Sequence, residues 1–406
     1  MRLLIYTGKG GTGKTVISCS TAIKLADKKY NTLIISSDPA HTLNDAFQLH
    51  NTITRNSNNN EAIEVFPFLQ ALQIDPTLEM NTQYREIISY MATMFSSKGI
   101  DEILAYEIAM MPGMTQLFSL LKVEEVMRLK SHEVVVLDMP ASGEALRYLY
   151  FPKLVSKISS RLTSLLGAFS GFTEIFQAFS GISIPSKMLR YEKDLFNSLN
   201  QLSDIIKDNS ITTLRLVANP DSFSIENAKR AFMAASLYGI NTDLAVINKI
   251  LPYKYTEVES NPFYTNWTKF QHTKVREARS NFYPLPIKEV PLHSTELAGI
   301  EMLRVNADII FGKDDPSKIF YTGKPYSIIE QPPKNLRISV KVPFTEKQDL
   351  DIKRLGSEVI IKLKSPTGYL VNVIPLPTIT FDMKMVSTRL HNNTLNIIFE
   401  RTAYGH

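Results

Sequence analysis

Cysteine is almost absent: Cys19 is the only one in 406 residues. A disulfide framework within the chain and a multi-cysteine metal site are thereby excluded. An excess of one charge is also lacking, since 45 Lys+Arg against 40 Asp+Glu leave a net charge of +5 and no long basic run. That balance gives no basis for a nucleic-acid partner. Long apolar runs are missing too. The most apolar stretch lies near Leu162–Thr173, between Arg161 and Glu174. It is about a dozen residues long, short of the ~20 that a spanning helix needs. A strand-like run begins at Arg2 and leaves no room for a signal or transit peptide. Together these absences predict a soluble, cytoplasmic protein. With 44% hydrophobic and 21% charged residues, what remains has a globular composition. The length exceeds what one core usually fills, so two units are expected.

The first half alternates short apolar runs with amphipathic stretches. Leu3–Tyr6, Thr32–Ser36, Val134–Leu137, Leu214–Ala218 and Leu244–Asn248 read as buried parallel strands. Thr15–Lys28 and Ile225–Tyr238 read as helices between them. This alternation predicts an α/β fold with a doubly wound, mostly parallel sheet. Helical insertions are expected at about 76–130 and 151–200. Gly323-Lys324-Pro325 and Pro332-Pro333 mark a linker over 323–334, closing a first unit at 322. From 335 to 406 the apolar period becomes two, in Leu336–Val340, Val359–Leu363, Thr378–Met383 and Leu395–Phe399, with a turn at His391-Asn392-Asn393. A small all-β sandwich is expected there.

Chemistry concentrates near the N-terminus. Gly8-Lys9-Gly10-Gly11-Thr12-Gly13-Lys14-Thr15 fits G-x-x-x-x-G-K-T, follows a strand and, with Val16, opens a helix. Glycines let backbone N–H groups turn inward around phosphates, and the helix dipole favours the same anion. Lys14 then reaches the β- and γ-phosphates, and Thr15 binds Mg²⁺. The same residues also satisfy G-x-G-x-x-G, with Asp38 where a dinucleotide fold carries its ribose acid. Such a fold does not require Lys-Thr after the last glycine, so ATP with Mg²⁺ is the expected ligand. Lys9 is a second lysine in the loop, fit to supply charge to a transferring phosphoryl group. Its alternative reading is a plain exposed lysine.

Asp38, at the end of the second strand, is placed to orient water and to help hold Mg²⁺; the alternative is a turn former before Pro39. Asp138 ends an apolar strand, where a carboxylate holds Mg²⁺ through water. Ser142-Gly143-Glu144 follows as a second switch, and His41 reads as a hydrogen-bonding loop residue.

Six segments in order, GKGGTGKT, SSDPAHTLNDAF, DMPASGEALRYL, NPDSFSIENAKRAF, LYGINTDLAVINKILP and FYPLPIKEVPLHSTELAGIEML, together resemble the ArsA-type ATPases. That family includes arsenite-pump ATPases and the guided-entry ATPases that deliver tail-anchored proteins. The tail resembles the α-crystallin-like domain fused to some members. The resemblance implies ATP hydrolysis by a homodimer in which Lys9 crosses to the partner's phosphates. Lys14, Thr15, Asp38 and Asp138 would be the phosphate-loop and switch residues, Asn248 would recognise adenine, and Pro291 with Leu292 would line the base. It also implies a hydrophobic protein client and leaves room for a membrane receptor.

There are departures. Met139 and Glu144 replace the Thr and His of the second switch, and Pro140 sits one place early. The C-x-x-C of the guided-entry members is absent, so no zinc site is evident, and arsenite-binding thiols are missing. Phe169, Phe172, Phe176 and Phe179 lie within about 80° on a helix and make a candidate client groove, or else ordinary core. Metalloid transport, a partitioning ATPase and a non-enzymatic holdase are the alternative functions.

Overall fold

The computed structural model describes residues 1–37, 42–49, 61–75, 112–140, 186–252, 262–331, 335–365 and 368–401, with isolated positions elsewhere. The described elements begin with β1 (Arg2–Thr7), α1 (Lys14–Asp27), β2 (Thr32–Ser36), α2 (Thr42–Phe47), β3 (Ile63–Phe66), β4 (Leu69–Gln73), α3 (Pro112–Leu129) and β5 (Val134–Asp138). There follow α4 (Ser186–Lys207), β6 (Thr212–Ala218), α5 (Ser222–Tyr238), β7 (Thr242–Ile250), α6 (Pro262–Phe282), β8 (Ile287–Pro291) and α7 (Ile300–Phe311).

Eight strands form one sheet in the order β3-β4-β2-β5-β1-β6-β7-β8. All neighbours are parallel except β3 and β4. Every residue of β2, β5 and β6 is buried, as expected where helices cover both faces. Alternation along β1 shows the two layers. Leu3 and Ile5 join a core with side chains of α3, α4, α5 and α6, whereas Leu4 and Tyr6 join one with α1, α2 and α7. The five strands read from sequence are all present. The short β3 and the polar-rich β4 carry too little apolar pattern to be read alone, and β8 borders on proline at both ends.

The C-terminal region comprises β9 (Tyr326–Gln331), β10 (Asn335–Lys341), β11 (Leu350–Leu355), β12 (Glu358–Ser365), β13 (Gly368–Pro375), β14 (Met383–His391) and β15 (Thr394–Arg401). These make a four-stranded sheet, β14-β15-β10-β9, and a three-stranded sheet, β11-β12-β13. Alternate residues of β10, β12 and β15 point into one shared core. Asn392 and Asn393 both have positive φ, and His391 pairs with Thr394, a two-residue hairpin whose twist needs such residues.

Two expectations are corrected. The stretch 323–334 contains β9, which pairs antiparallel with β10 from Tyr326 onward. Gln331 pairs with Asn335, so the described part of this stretch belongs to the β region. Thr378–Met383 is not a strand: Thr378–Thr380 forms a short 3₁₀ turn and β14 starts only at Met383. Pro375 and Pro377 remove ladder donors there, and Thr380 Oγ1 donates to the Pro377 carbonyl.

The β region packs on the first. Phe344 stands edge-on to Phe232 and Phe282, and Asn372 Nδ2 donates 2.5 Å to the Leu237 carbonyl at the end of α5. Among the described residues no helix is long and apolar enough to cross a membrane.

Candidate functional site

The sheet changes winding direction at β1, whose neighbours are β5 and β6. Ligands of such sheets bind beyond the strand ends at that point. The glycine loop leaves β1 there and enters α1. Gly8 is pressed against β6, since a Cβ on it would lie 2.1 Å from the Val217 carbonyl oxygen. Gly13 has φ +84, and a Cβ there would lie 2.4 Å from Asn248 Nδ2. No side chain caps the α1 N-terminus and its first turn holds no acid. Its N–H groups and dipole therefore favour an anion at the loop.

Lys14 is buried, and its Nζ donates to the Lys9 carbonyl at 3.5 Å. Thr12 Oγ1 donates to the same carbonyl at 2.8 Å. Thr15 Oγ1 donates to Asp138 Oδ2 at 2.7 Å. Asp138 is buried and lies opposite Tyr6 in the β1–β5 ladder, which sets the carboxylate beside the start of α1. Burial, and then the Asp138 charge, push the Cys19 thiol well above its ordinary pKa. Thr15 and Asp138 are hard oxygen donors of the kind Mg²⁺ takes, so the pair fits that ion. Among the described residues no group of three or more His, Cys, Asp or Glu forms a metal-binding cluster.

A cleft of about 420 Å³ opens beside the loop. Gly13, Thr15, Val16, Asn248, Pro291 and Leu292 are among the residues that line it. The three residues assigned to the base from the resemblance thus line one cleft, and the parallel β7–β8 pair sets Ile250 beside Pro291. Asn248 is buried, and its Nδ2 donates 2.8 Å to the Thr12 carbonyl, so its amide also holds the loop.

Sequence reasoning missed several residues. Lys249 Nζ donates 2.9 Å to the Gly11 carbonyl, and Asn219 Nδ2 reaches it at 3.5 Å. Asp45 and Ala46 of α2 also line the cleft, as do His293 and the residues 295–298. Phe223, 76% exposed, lies under Lys9 Nζ at 5.4 Å from the ring centroid. Adjacency to Asn248 was the one available signal for Lys249; the others meet the loop only in the fold. Asp38, Glu144 and Phe169, Phe172, Phe176 and Phe179 lie outside the described residues. Met139 is buried, and its N–H donates to the Tyr6 carbonyl.

A strand, a glycine loop closing on a helix N-terminus, and a Thr–Asp pair at the next strand define a P-loop nucleoside-triphosphatase. The family model for ArsA ATPases, described as "Anion-transporting ATPase", matches residues 1–312, and that for the "HSP20-like domain found in ArsA" matches 333–399. The chain belongs to the ArsA ATPase family, is an ATPase, and carries the HSP20-like domain at its C-terminal end. It is 30% identical over 367 residues to "Putative arsenical pump-driving ATPase 1" of Aquifex aeolicus, covering 89% of this chain and 92% of that one. A "Putative arsenical pump-driving ATPase" of Prosthecochloris vibrioformis is 27% identical, over 100% of this chain and 97% of its own. "ATPase GET3" of Chaetomium globosum is 27% identical over 315 residues, 75% of this chain and 88% of its own.

Proposed function

We propose that this ATPase is a cytoplasmic homodimer that closes on Mg-ATP and thereby binds or delivers apolar protein segments. The observation that carries the reading is Lys9. It is exposed on the phosphate loop and rests over Phe223, which is also exposed, so a second copy can receive both. In the closed state Lys9 would meet the partner's phosphates, where charge builds during transfer. Lys14 would neutralise the β- and γ-phosphates within the chain. Thr15 and Asp138 would hold Mg²⁺, which would supply positive charge against the phosphates. Asp38 would orient the attacking water, Asn248, Pro291 and Leu292 would hold the base, and the stripe Phe169, Phe172, Phe176 and Phe179 would meet the client. The resemblance to guided-entry ATPases supports the client class.

The test is capture by Asp38→Asn, which should bind ATP but turn it over slowly. Incubated with a defined apolar helix joined to a soluble reporter, it should retain the reporter with ATP and release it without. Retention that ignores ATP would overturn the gated-carrier reading. Sedimentation of Lys9→Ala with ATP should show less dimer than wild type.

A second reading, drive for metalloid transport, is favoured by the names of the two bacterial relatives. It lacks a thiol site, because Cys19 is the chain's only cysteine and is buried. Arsenite is therefore expected to leave the ATPase rate unchanged; clear stimulation would favour this reading.

A further inference from the structure

Successive residues of a strand normally point to opposite faces. At the end of β7 two successive residues point to the same loop. Asn248 holds the Thr12 carbonyl and Lys249 holds the Gly11 carbonyl, at 2.8 and 2.9 Å. Two features make this possible. The β7–β8 register shifts between Ile247 and Ile250, a local irregularity that frees the intervening residues from the ladder. Lys249 also has φ 62, the left-handed region that lysine rarely enters. Strain of this kind persists where the surroundings over-determine it, and it collects at functional positions.

The bonds have a direct consequence for the loop. In a planar trans peptide the carbonyl and the following N–H point in opposite directions. Holding the Gly11 carbonyl towards Lys249 turns the Thr12 N–H away from it, to 3.4 Å from the Lys9 carbonyl within the loop. Holding the Thr12 carbonyl towards Asn248 likewise turns the Gly13 N–H away. Asn219, just past the end of β6, also reaches the Gly11 carbonyl and reinforces the first bond.

We propose that Lys249 is a positioning residue for ATP: its ammonium, carried by the left-handed turn at the β7 irregularity, clamps the Gly11 carbonyl and keeps the phosphate loop in its binding shape. Lys249 acts through the loop and need not touch the reacting phosphate. The inference rests on the assignment of Gly8–Thr15 as the phosphate loop. A preshaped loop spends less of its binding energy on ordering, so the clamp acts on nucleotide affinity more than on turnover.

The experiment compares Lys249→Met, Lys249→Gly and Lys249→Arg in the full chain, by steady-state ATP hydrolysis and calorimetric titration with Mg-ADP. Glycine relaxes the left-handed backbone while removing the ammonium, so its loss of binding cannot be ascribed to strain or misfolding. Met and Gly should each raise the KM for ATP and the Kd for ADP about tenfold, the weight of one charge-assisted hydrogen bond, with kcat changed less than about threefold. Arg should restore both constants to within about threefold of wild type. A Gly variant with wild-type KM and Kd would overturn the clamp, as would a Met variant that loses kcat while keeping its KM. Lys14→Ala is the control. If it too leaves ADP affinity unchanged, the phosphate-loop assignment fails and the clamp fails with it.

Discussion

Thr15 and Asp138 lie 123 positions apart in sequence, yet the hydroxyl of one donates to the carboxylate of the other over 2.7 Å. The contact joins the first turn of α1 to the end of β5, the place where the proposed Mg²⁺ would sit. Asp138→Asn keeps the shape but removes the anion. It should lower kcat by roughly 10²–10³, as loss of a charge-stabilising group does. Metal-free ADP should bind almost as before. Hydrolysis followed across a Mg²⁺ titration checks this, and a variant with wild-type turnover would remove Asp138 from the metal site.

Gly13 offers a second test. It is left-handed and faces Asn248 at a distance no Cβ tolerates. Gly13→Ala must either swing the Asn248 amide off the Thr12 carbonyl or move the loop. The expected stability loss is about 1–3 kcal/mol, with nucleotide affinity falling at least about tenfold. Urea unfolding and ADP titration on the same sample measure both.

Arg215 and Asp243 form a fully buried ion pair between β6 and β7. Burial works against the guanidinium charge, but Asp243, helped by Tyr6, more than offsets it and raises the Arg215 pKa. The same side chain donates to the Pro316 carbonyl at 2.7 Å, and Asp243 accepts from the Phe320 N–H, so the pair fastens the segment after α7 to the sheet. Arg215→Ala strands a buried carboxylate and should cost about 3–5 kcal/mol. The double change Arg215→Met with Asp243→Leu should cost less than the single one. Equal losses in urea unfolding would mean that the carboxylate is not what makes Arg215→Ala costly.

Glu124 on α3 is nearly inaccessible, paired at 3.4 Å with Arg128. Burial raises its pKa, against the lowering effect of Arg128. A carboxyl whose folded pKa exceeds its unfolded one contributes stability that is full below the unfolded value and is lost as pH rises through the folded value. Glu124→Gln should therefore be more stabilising, or less destabilising, at pH 7 than at pH 4. Urea midpoints at the two pH values decide it, and a mutational effect independent of pH would contradict it.

Particular residues show how much was legible. Strands buried on both faces, such as Val134–Asp138, announce themselves by unbroken β-branched runs. The glycine loop was legible because its spacing is local, and two of its glycines, Gly11 and Gly13, take the left-handed backbone that favours glycine. Strand β9 was hidden because prolines on both sides resemble a linker, and only pairing with β10 shows a hairpin. Lys249 was hidden because a left-handed lysine leaves no trace in residue type.

The order of residues alone determined the parallel sheet, the phosphate loop and the period-two tail, since each rests on local spacing and side-chain shape. The tertiary structure decided which distant groups meet: Thr15 with Asp138, Asn248 and Lys249 with the loop carbonyls, Arg215 with the segment after α7. Those meetings depend on strand order, on the register of β7 against β8, and on two successive side chains turning the same way. Such geometry is set by the packing of the whole sheet, which no window of sequence contains.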